Sequence, residues 1–204
     1  MSSFKIGLDF DNTLVCYDGV FHRAAMDRGL VPAGLATDKG SIRDYLRAQG
    51  REDDWTELQG YVYGRRMGDA RLFAGVETFL EECRTAGVQT CIISHKTRTP
   101  YRGPAYDLHA AARQWIADTG LLEFIDGGAD AIWFEQTLKD KLQRIATAGC
   151  RVFIDDLPEC LRDPDFPPGV EGLLFDPDER HLGEADLRRA GSWRELSGMM
   201  RVMR

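Results

Sequence analysis

The sequence predicts an α/β fold, in which a parallel sheet has helices on both faces and a small helical segment follows the first strand. From residue 73 onward, short apolar runs alternate with segments whose apolar residues recur at helical spacing. Residues 17–72 show only helical spacing and glycine-containing breaks. Strands that alternate with helices form parallel sheets, and such sheets bind ligands beyond the carboxyl ends of their strands.

The first predicted strand covers residues 4–10 and carries Asp9 near its end, followed by Asp11, Asn12 and Thr13. Two carboxylates only two positions apart repel each other, so they need a cation or a shared proton. This strand end is therefore the first candidate for reactive chemistry.

The inserted segment is predicted to hold three short helices, at residues 20–29, 41–49 and 53–66. Their apolar residues are sparse but lie near helical spacing, and glycine-containing stretches separate them. So many helices between one strand and the next indicate a helical subdomain at residues 17–72.

The remaining predicted elements alternate between helix and strand, except that two strands follow each other near the end. In chain order they are helix 76–86, strand 88–93, helix 106–118, strand 131–134, helix 138–148, strand 151–154, strand 172–175 and a closing helix 192–203. Two of these strands end in polar clusters, Ser-His-Lys at 94–96 and Asp-Asp at 155–156. Because the carboxyl ends of parallel strands share one edge, we expect these clusters to lie near Asp9 and Asp11.

Composition excludes several classes of function. The chain has 204 residues and a formal net charge of -7, without a basic run, so we expect no nucleic-acid partner. No apolar stretch approaches ~20 residues, so we expect no membrane span, and the N-terminal residues do not resemble a signal peptide. The five cysteines form no C-x-x-C pair, which indicates reduced thiols and a cytoplasmic protein. The oligomeric state stays open.

The three polar strand ends contain the groups that a phosphoryl-transfer site needs. Asp9 can attack phosphorus, Asp11 can serve as general acid and base, and Ser94 can donate a hydrogen bond to a phosphate oxygen. The carboxylates of Asp155 and Asp156 add oxygen ligands, which favour Mg²⁺ over zinc. A lysine near Asp9 would keep the nucleophile ionised.

These motifs resemble those of the haloacid dehalogenase superfamily, in its phosphatase branch. Residues 8–13 match the motif hydrophobic-Asp-x-Asp-x-Thr, Ser94 matches the second motif, and the pair at 155–156 matches the acidic motif that ends the fourth strand. The resemblance implies a Rossmann-like three-layer α/β/α core at residues 1–16 and 73–204. It also implies that residues 17–72 form a small α-helical cap.

The resemblance also implies a role for each residue. Asp9 would be the nucleophile and a metal ligand, and Asp11 would be the acid/base, with its backbone carbonyl on Mg²⁺. Asp156 would supply the other carboxylate ligand, and Asp155 would orient the lysine or a metal-bound water. Asp11 favours phosphate chemistry over dehalogenation, because the displacement of a halide needs no proton donor.

The third motif of the superfamily is a lysine shortly before the fourth strand, and two lysines of this chain could fill that position. Lys141 shares a face with Leu142 and Ile145, so it is expected to point toward the sheet. Lys139 lies about 160° away around the helix and is expected to be solvated. Lys141 is the preferred candidate, and Lys139 remains the alternative.

Asn12, His95 and Lys96 are the expected substrate contacts, because they follow two of the strand ends. The alternative is that His95 is structural and that Lys96 belongs to a basic surface loop. In the insertion, Tyr61 and Tyr63 could line a pocket, although packing within the subdomain is the simpler interpretation.

The resulting hypothesis is a Mg²⁺-dependent phosphomonoester hydrolase that acts on a small phosphorylated metabolite, a sugar phosphate or a nucleotide, through an aspartyl-phosphate intermediate. A phosphotransferase with the same intermediate and a catalytically silent binding protein with the same fold are the alternatives. The sequence does not identify the substrate.

Overall fold

A computed structural model describes residues 4–183 and 186–203 and divides the chain into two compact units. The first unit comprises Met1–Val15, Leu72–His95 and Gly120–Arg204. The second comprises Cys16–Arg71 and Lys96–Thr119. Residues 96–119, which the sequence assigned to the core, thus belong to the same unit as the helical insertion.

The described residues contain eight strands, which we number in chain order. They are β1 (Lys5–Leu8), β2 (Val15–Cys16), β3 (Arg71–Leu72), β4 (Gln89–His95), β5 (Ile132–Glu135), β6 (Val152–Asp155), β7 (Glu171–Phe175) and β8 (Arg188–Ala190). Six of them form one parallel sheet in the order β5-β4-β1-β6-β7-β8, and β2 pairs with β3.

The described part of the chain also contains eight α-helices. They are α1 (Val20–Asp27), α2 (Lys39–Ala48), α3 (Glu52–Arg65), α4 (Val76–Thr85), α5 (Leu108–Asp118), α6 (Leu138–Thr147), α7 (Pro158–Leu161) and α8 (Trp193–Met203). Short 3-10 helices occur at Met67–Asp69, Leu121–Phe124 and Gly128–Ala131. None of the described helices is long and apolar enough to cross a membrane. The predicted α/β fold, a parallel sheet flanked by helices, is confirmed.

The centre of the sheet explains why its strands are apolar runs. Leu8 of β1 lies beside Ile92 of β4 on one side and Ile154 of β6 on the other, and all three are buried. Strands of a parallel sheet that are covered on both faces need apolar residues at successive positions. The polar residues that follow each run then emerge at the carboxyl edge of the sheet.

The second unit is built on an aromatic core. Phe21 of α1 contacts Trp55 of α3 with ring centroids 5.5 Å apart, and both side chains are buried. Asp38 caps α2 by accepting a hydrogen bond from the Ser41 amide at 3.0 Å. The cap fixes the start of α2 at Lys39, two residues before the predicted position.

Strand β8 and helix α7 are among the elements of the sheet unit that were not predicted. Strand β8 has the sequence Arg-Arg-Ala and lies at the sheet edge, so it lacks the apolar run that marks the other strands. Helix α7 is a single turn that begins at Pro158. The closing helix, predicted at 192–203, is confirmed as α8.

Candidate active site

A tight loop after β1 carries the two aspartates. The Asp9 amide donates to the Ile154 carbonyl at 2.9 Å, which continues the pairing of β1 with β6. Asn12 adopts a left-handed backbone with φ 61°, which Asn tolerates better than most residues, and its amide donates to the Val15 carbonyl at 3.0 Å. The loop therefore turns back on itself just beyond Asp11.

Lys141 connects this loop to the acidic strand end. Its Nζ donates to Asp9 Oδ1 at 2.6 Å and to Asp155 Oδ2 at 2.7 Å, and the side chain is 2% exposed. Helix α6 presents it because Leu142 and Ile145 bury the same face, and Thr137 caps the helix start. Its catalytic role stays a prediction. Lys139, the alternative, is exposed, so its position does not favour it for that role.

The two residues of the acidic pair have different surroundings. Asp155 is fully buried, and its oxygens accept hydrogen bonds from Lys141 Nζ and from the Leu157 amide, the latter at 3.0 Å. Asp156 is half-buried, and its Oδ1 accepts from Thr13 Oγ1 at 3.4 Å. The pair thus holds the lysine with one carboxylate and reaches the loop after β1 with the other.

Burial and neighbouring charges set the protonation of this cluster. Burial is the main cause that raises the pKa of Asp9 from 3.8 to about 7; the ammonium of Lys141 opposes the rise, while Asp155 and Asp11 add to it. Burial alone would lower the pKa of Lys141, but the carboxylates of Asp155 and Asp9 hold it well above its ordinary value. Lys141 is therefore a fixed cation, whereas Asp9 needs more positive charge to stay ionised at neutral pH.

The carboxylates fit a hard cation. Asp9, Asp155 and Asp156 each offer an oxygen, and these atoms all lie within 4.8 Å of one another. Oxygen ligands at this spacing suit Mg²⁺ rather than a soft metal. Because both oxygens of Asp155 already accept hydrogen bonds, Asp9 and Asp156 are the carboxylates better placed to ligate the ion.

The other predicted site residues lie as follows. Ser94 is buried at the end of β4, two residues beyond Ile92, which pairs with Leu8, so it is level with the loop after β1. His95 is exposed, and its Nε2 donates to the Gln136 carbonyl at 3.1 Å. That bond fixes the ring to the chain after β5.

Lys96 belongs to the second unit and is 4% exposed. Its Nζ lies 4.5 Å from the ring centroid of Tyr63. The sequence left two interpretations of Lys96, a substrate contact or a charge on a surface loop, and the second does not fit the burial of its side chain. A substrate contact for Lys96 stays a prediction.

Sequence reasoning missed three contacts of the site. Thr13 links the first motif to Asp156, and its carbonyl accepts a hydrogen bond from Trp193 Nε1 at 3.3 Å. The Leu157 amide holds Asp155. Thr13 had a local signal in the sequence, since it is the last residue of the first motif. The other two contacts had none, because one is made by the backbone amide of Leu157 and the other by Trp193, which is 180 residues from Thr13.

Solved structures with this fold resemble the chain over nearly its whole length. A haloacid dehalogenase-like protein of unknown function from Agrobacterium tumefaciens has a TM-score of 0.64 at 15% identity, with 98% of this chain and 99% of that chain covered. A predicted phosphatase from Clostridium acetobutylicum has a TM-score of 0.62 at 14% identity and the same coverage. A predicted phosphoglycolate phosphatase from Haemophilus somnus has a TM-score of 0.58 at 12% identity, with 100% and 99% covered.

No protein-family model matches the chain, and no curated protein matches it. The similarity to solved structures establishes the fold, which is that of haloacid dehalogenase-superfamily hydrolases. The chemistry of the site must therefore be argued from its own residues.

Proposed function

We propose that this chain is a haloacid dehalogenase-type phosphatase, which hydrolyses a small phosphomonoester with the help of Mg²⁺. The observation that carries the proposal is the buried ammonium of Lys141, bonded to Asp9 at 2.6 Å and to Asp155 at 2.7 Å beside Asp156. A carboxylate held by a fixed cation next to oxygen ligands is suited to phosphoryl transfer. The names of several neighbours, which include predicted phosphatases, support the same reaction class.

The first half of the proposed reaction transfers the phosphoryl group to the protein. A carboxylate oxygen of Asp9 attacks phosphorus, a P–O bond to Asp9 forms, and the P–O bond to the substrate alcohol breaks. Asp11 gives its proton to the leaving oxygen, while Ser94 donates a hydrogen bond to a phosphate oxygen. Lys141 neutralises part of the developing charge. When bound, Mg²⁺ supplies the remaining positive charge that a phosphate dianion requires.

The second half releases phosphate. Asp11, now a carboxylate, takes a proton from water, and the resulting nucleophile attacks phosphorus. The P–O bond to Asp9 breaks, and inorganic phosphate leaves with Asp9 restored. Asp155 takes no direct part in this scheme: it is a positioning residue, because it holds Lys141 and is itself held by the Leu157 amide.

We further propose that residues 17–72 act as a cap that selects a small phosphorylated substrate, with Asn12, His95 and Lys96 as its contacts. The grouping of Cys16–Arg71 in one compact unit with Lys96–Thr119 supports a substrate-selecting role shared by both segments. A cytoplasmic location is supported by the five buried free thiols, which suit a reducing compartment.

A metabolite panel tests the proposed function. The purified chain is expected to release phosphate from at least one phosphomonoester in the presence of Mg²⁺, and to lose this activity in EDTA. Asp9→Asn should abolish phosphate release. Lys139→Met, a substitution at an exposed position of α6, should not. Phosphate release that persists in Asp9→Asn or in EDTA would contradict the proposal.

A further inference from the structure

The second unit contains a tyrosine, Tyr63, at the edge of its aromatic core. The ring of Tyr63 on α3 contacts the rings of Tyr17 and Phe21, with centroid distances of 5.3 Å and 5.7 Å. Tyr17 and Phe21 are buried, and Tyr63 is half-buried. The phenol of Tyr63 is thus a polar group at the margin of an apolar core.

Two lysine side chains converge on this phenol. Lys39 Nζ donates to Tyr63 Oη at 2.8 Å, and Lys96 Nζ lies 4.5 Å from the centroid of the same ring. Lys39 Nζ is 5.5 Å from that centroid, so the two ammonium groups lie within about 10 Å of each other. Because Tyr63 Oη accepts the bond from Lys39, its own O–H is left to donate to a further acceptor.

Lys96 is held firmly in place. Its carbonyl accepts a hydrogen bond from His109 Nε2 at 2.7 Å. The loop that follows packs against α3 at Gly60, where an added Cβ would lie 2.6 Å from Pro100 Cβ. Arg102 of the same loop forms ion pairs with two carboxylates of α3, at 3.0 Å and 3.3 Å. The backbone that carries Lys96 is therefore preorganised, which lowers the entropic cost of binding.

We propose that Lys39, Tyr63 and Lys96 form an oxyanion-binding site in the second unit, for a carboxylate or a phosphate group. Two ammonium groups and a phenol O–H supply charge-assisted donors, which carboxylate and phosphate oxygens accept. The anion is either a second anionic group of the phosphomonoester or a free anion. The first source rests on the proposed function, whereas the second does not.

The first experiment compares two esters of similar size, 3-phosphoglycerate and glycerol 3-phosphate, of which only the former carries a carboxylate. The intact chain with Mg²⁺ is expected to favour 3-phosphoglycerate in kcat/KM by about tenfold or more, the value of one charge-assisted hydrogen bond. Lys39→Met and Tyr63→Phe should remove most of that preference. Tyr61→Phe, the same change on the same helix, should keep it.

The second experiment uses isothermal titration of malonate into metal-free protein in a buffer that contains no other carboxylate, so that neither catalysis nor metal is involved. Lys39→Met and Tyr63→Phe are expected to weaken malonate binding by about tenfold, again because a charge-assisted hydrogen bond is lost. Lys139→Met, a substitution at an exposed position of α6, should leave the affinity for malonate unaltered.

The outcomes show whether the bound anion is part of the phosphomonoester or a free anion. They also distinguish failure of the anion site from failure of the proposed phosphatase function. Loss of ester preference in the variants identifies the substrate as the source, and loss of malonate binding without any ester preference identifies a free anion. Loss of malonate binding in a chain that hydrolyses neither ester would support the anion site while counting against the proposed function. Equal malonate affinity in all variants, or an ester preference that survives both changes, would overturn the anion site.

Discussion

Replacement of Lys141 by methionine is the sharpest test of the cluster, because it keeps the apolar stem and removes only the ammonium. The change leaves Asp9 and Asp155 buried together without the cation that bonds both. We expect a loss of stability and, in the active protein, a loss of turnover. Lys139→Met is the matched control, since Lys139 lies on the same helix and is exposed.

The magnitude follows from the two contacts. At 2.6 Å and 2.7 Å, each contact is worth about 6 kcal/mol of attraction in an effective dielectric of about 20. The ammonium gives up hydration worth several kcal/mol to make them, so Lys141→Met should cost a net ~3–5 kcal/mol of unfolding free energy. Turnover should fall by about 100-fold or more, because Asp9 would lose the cation that opposes the rise in its pKa.

Urea denaturation in metal-free buffer, followed by tryptophan fluorescence, measures the loss at several pH values. The deficit of Lys141→Met should be largest at pH 8 and shrink toward pH 5, because protonation of Asp9 removes the unpaired charge. A deficit that does not change between pH 5 and pH 8, or one equal to that of Lys139→Met, would refute this reasoning.

Three further predictions concern other parts of the chain. Asp9→Asn should raise the unfolding free energy by up to about 4 kcal/mol above pH 7 and by little at pH 4. The reason is that the folded-state pKa of Asp9, about 7, lies above the ordinary 3.8, so the wild type loses stability as the pH rises between these values. Denaturation across this pH range in metal-free buffer measures the difference. Asp156→Asn should weaken Mg²⁺ binding by about tenfold or more in isothermal titration, since it removes a charged ligand, and unchanged affinity would exclude this residue from the metal site. Gly60→Ala should lower the melting temperature despite the helix propensity of alanine, because its Cβ would lie 2.6 Å from Pro100 Cβ, whereas Gly68→Ala meets open space and serves as control.

The parts of the fold that sequence could predict are those that apolar residues decide locally. The strand that ends at Asp155 is a buried apolar run, and the inward position of Lys141 follows from the side chains that share its helical face. Strand β8 could not be predicted, because an edge strand with two arginines has neither an apolar run nor an alternating pattern. The assignment of residues 96–119 to the second unit depends on packing against α3, which no local pattern records.

The same distinction applies to the candidate site. The first motif identifies Asp9 through residue type and spacing, but the contact of Thr13 with Asp156 joins positions 143 residues apart. Likewise, Lys39 reaches Tyr63 through the arrangement of two helices and not through helical spacing. Contacts of this kind depend on the register of elements distant in sequence, so they become visible only in three dimensions.

The charge of the candidate site links the proposed metal ion to Asp9, the proposed nucleophile. The first motif, the acidic pair and the lysine of helix α6 bring together four carboxylates, at positions 9, 11, 155 and 156, and one ammonium, that of Lys141. A phosphomonoester would add about two further negative charges. The pKa of Asp9 is already raised to about 7 before any phosphate enters, which means that the site retains its own charge with difficulty. A divalent cation would therefore have two effects at once: it would lower the pKa of Asp9, so that the nucleophile is ionised, and it would permit a phosphate dianion to approach that nucleophile.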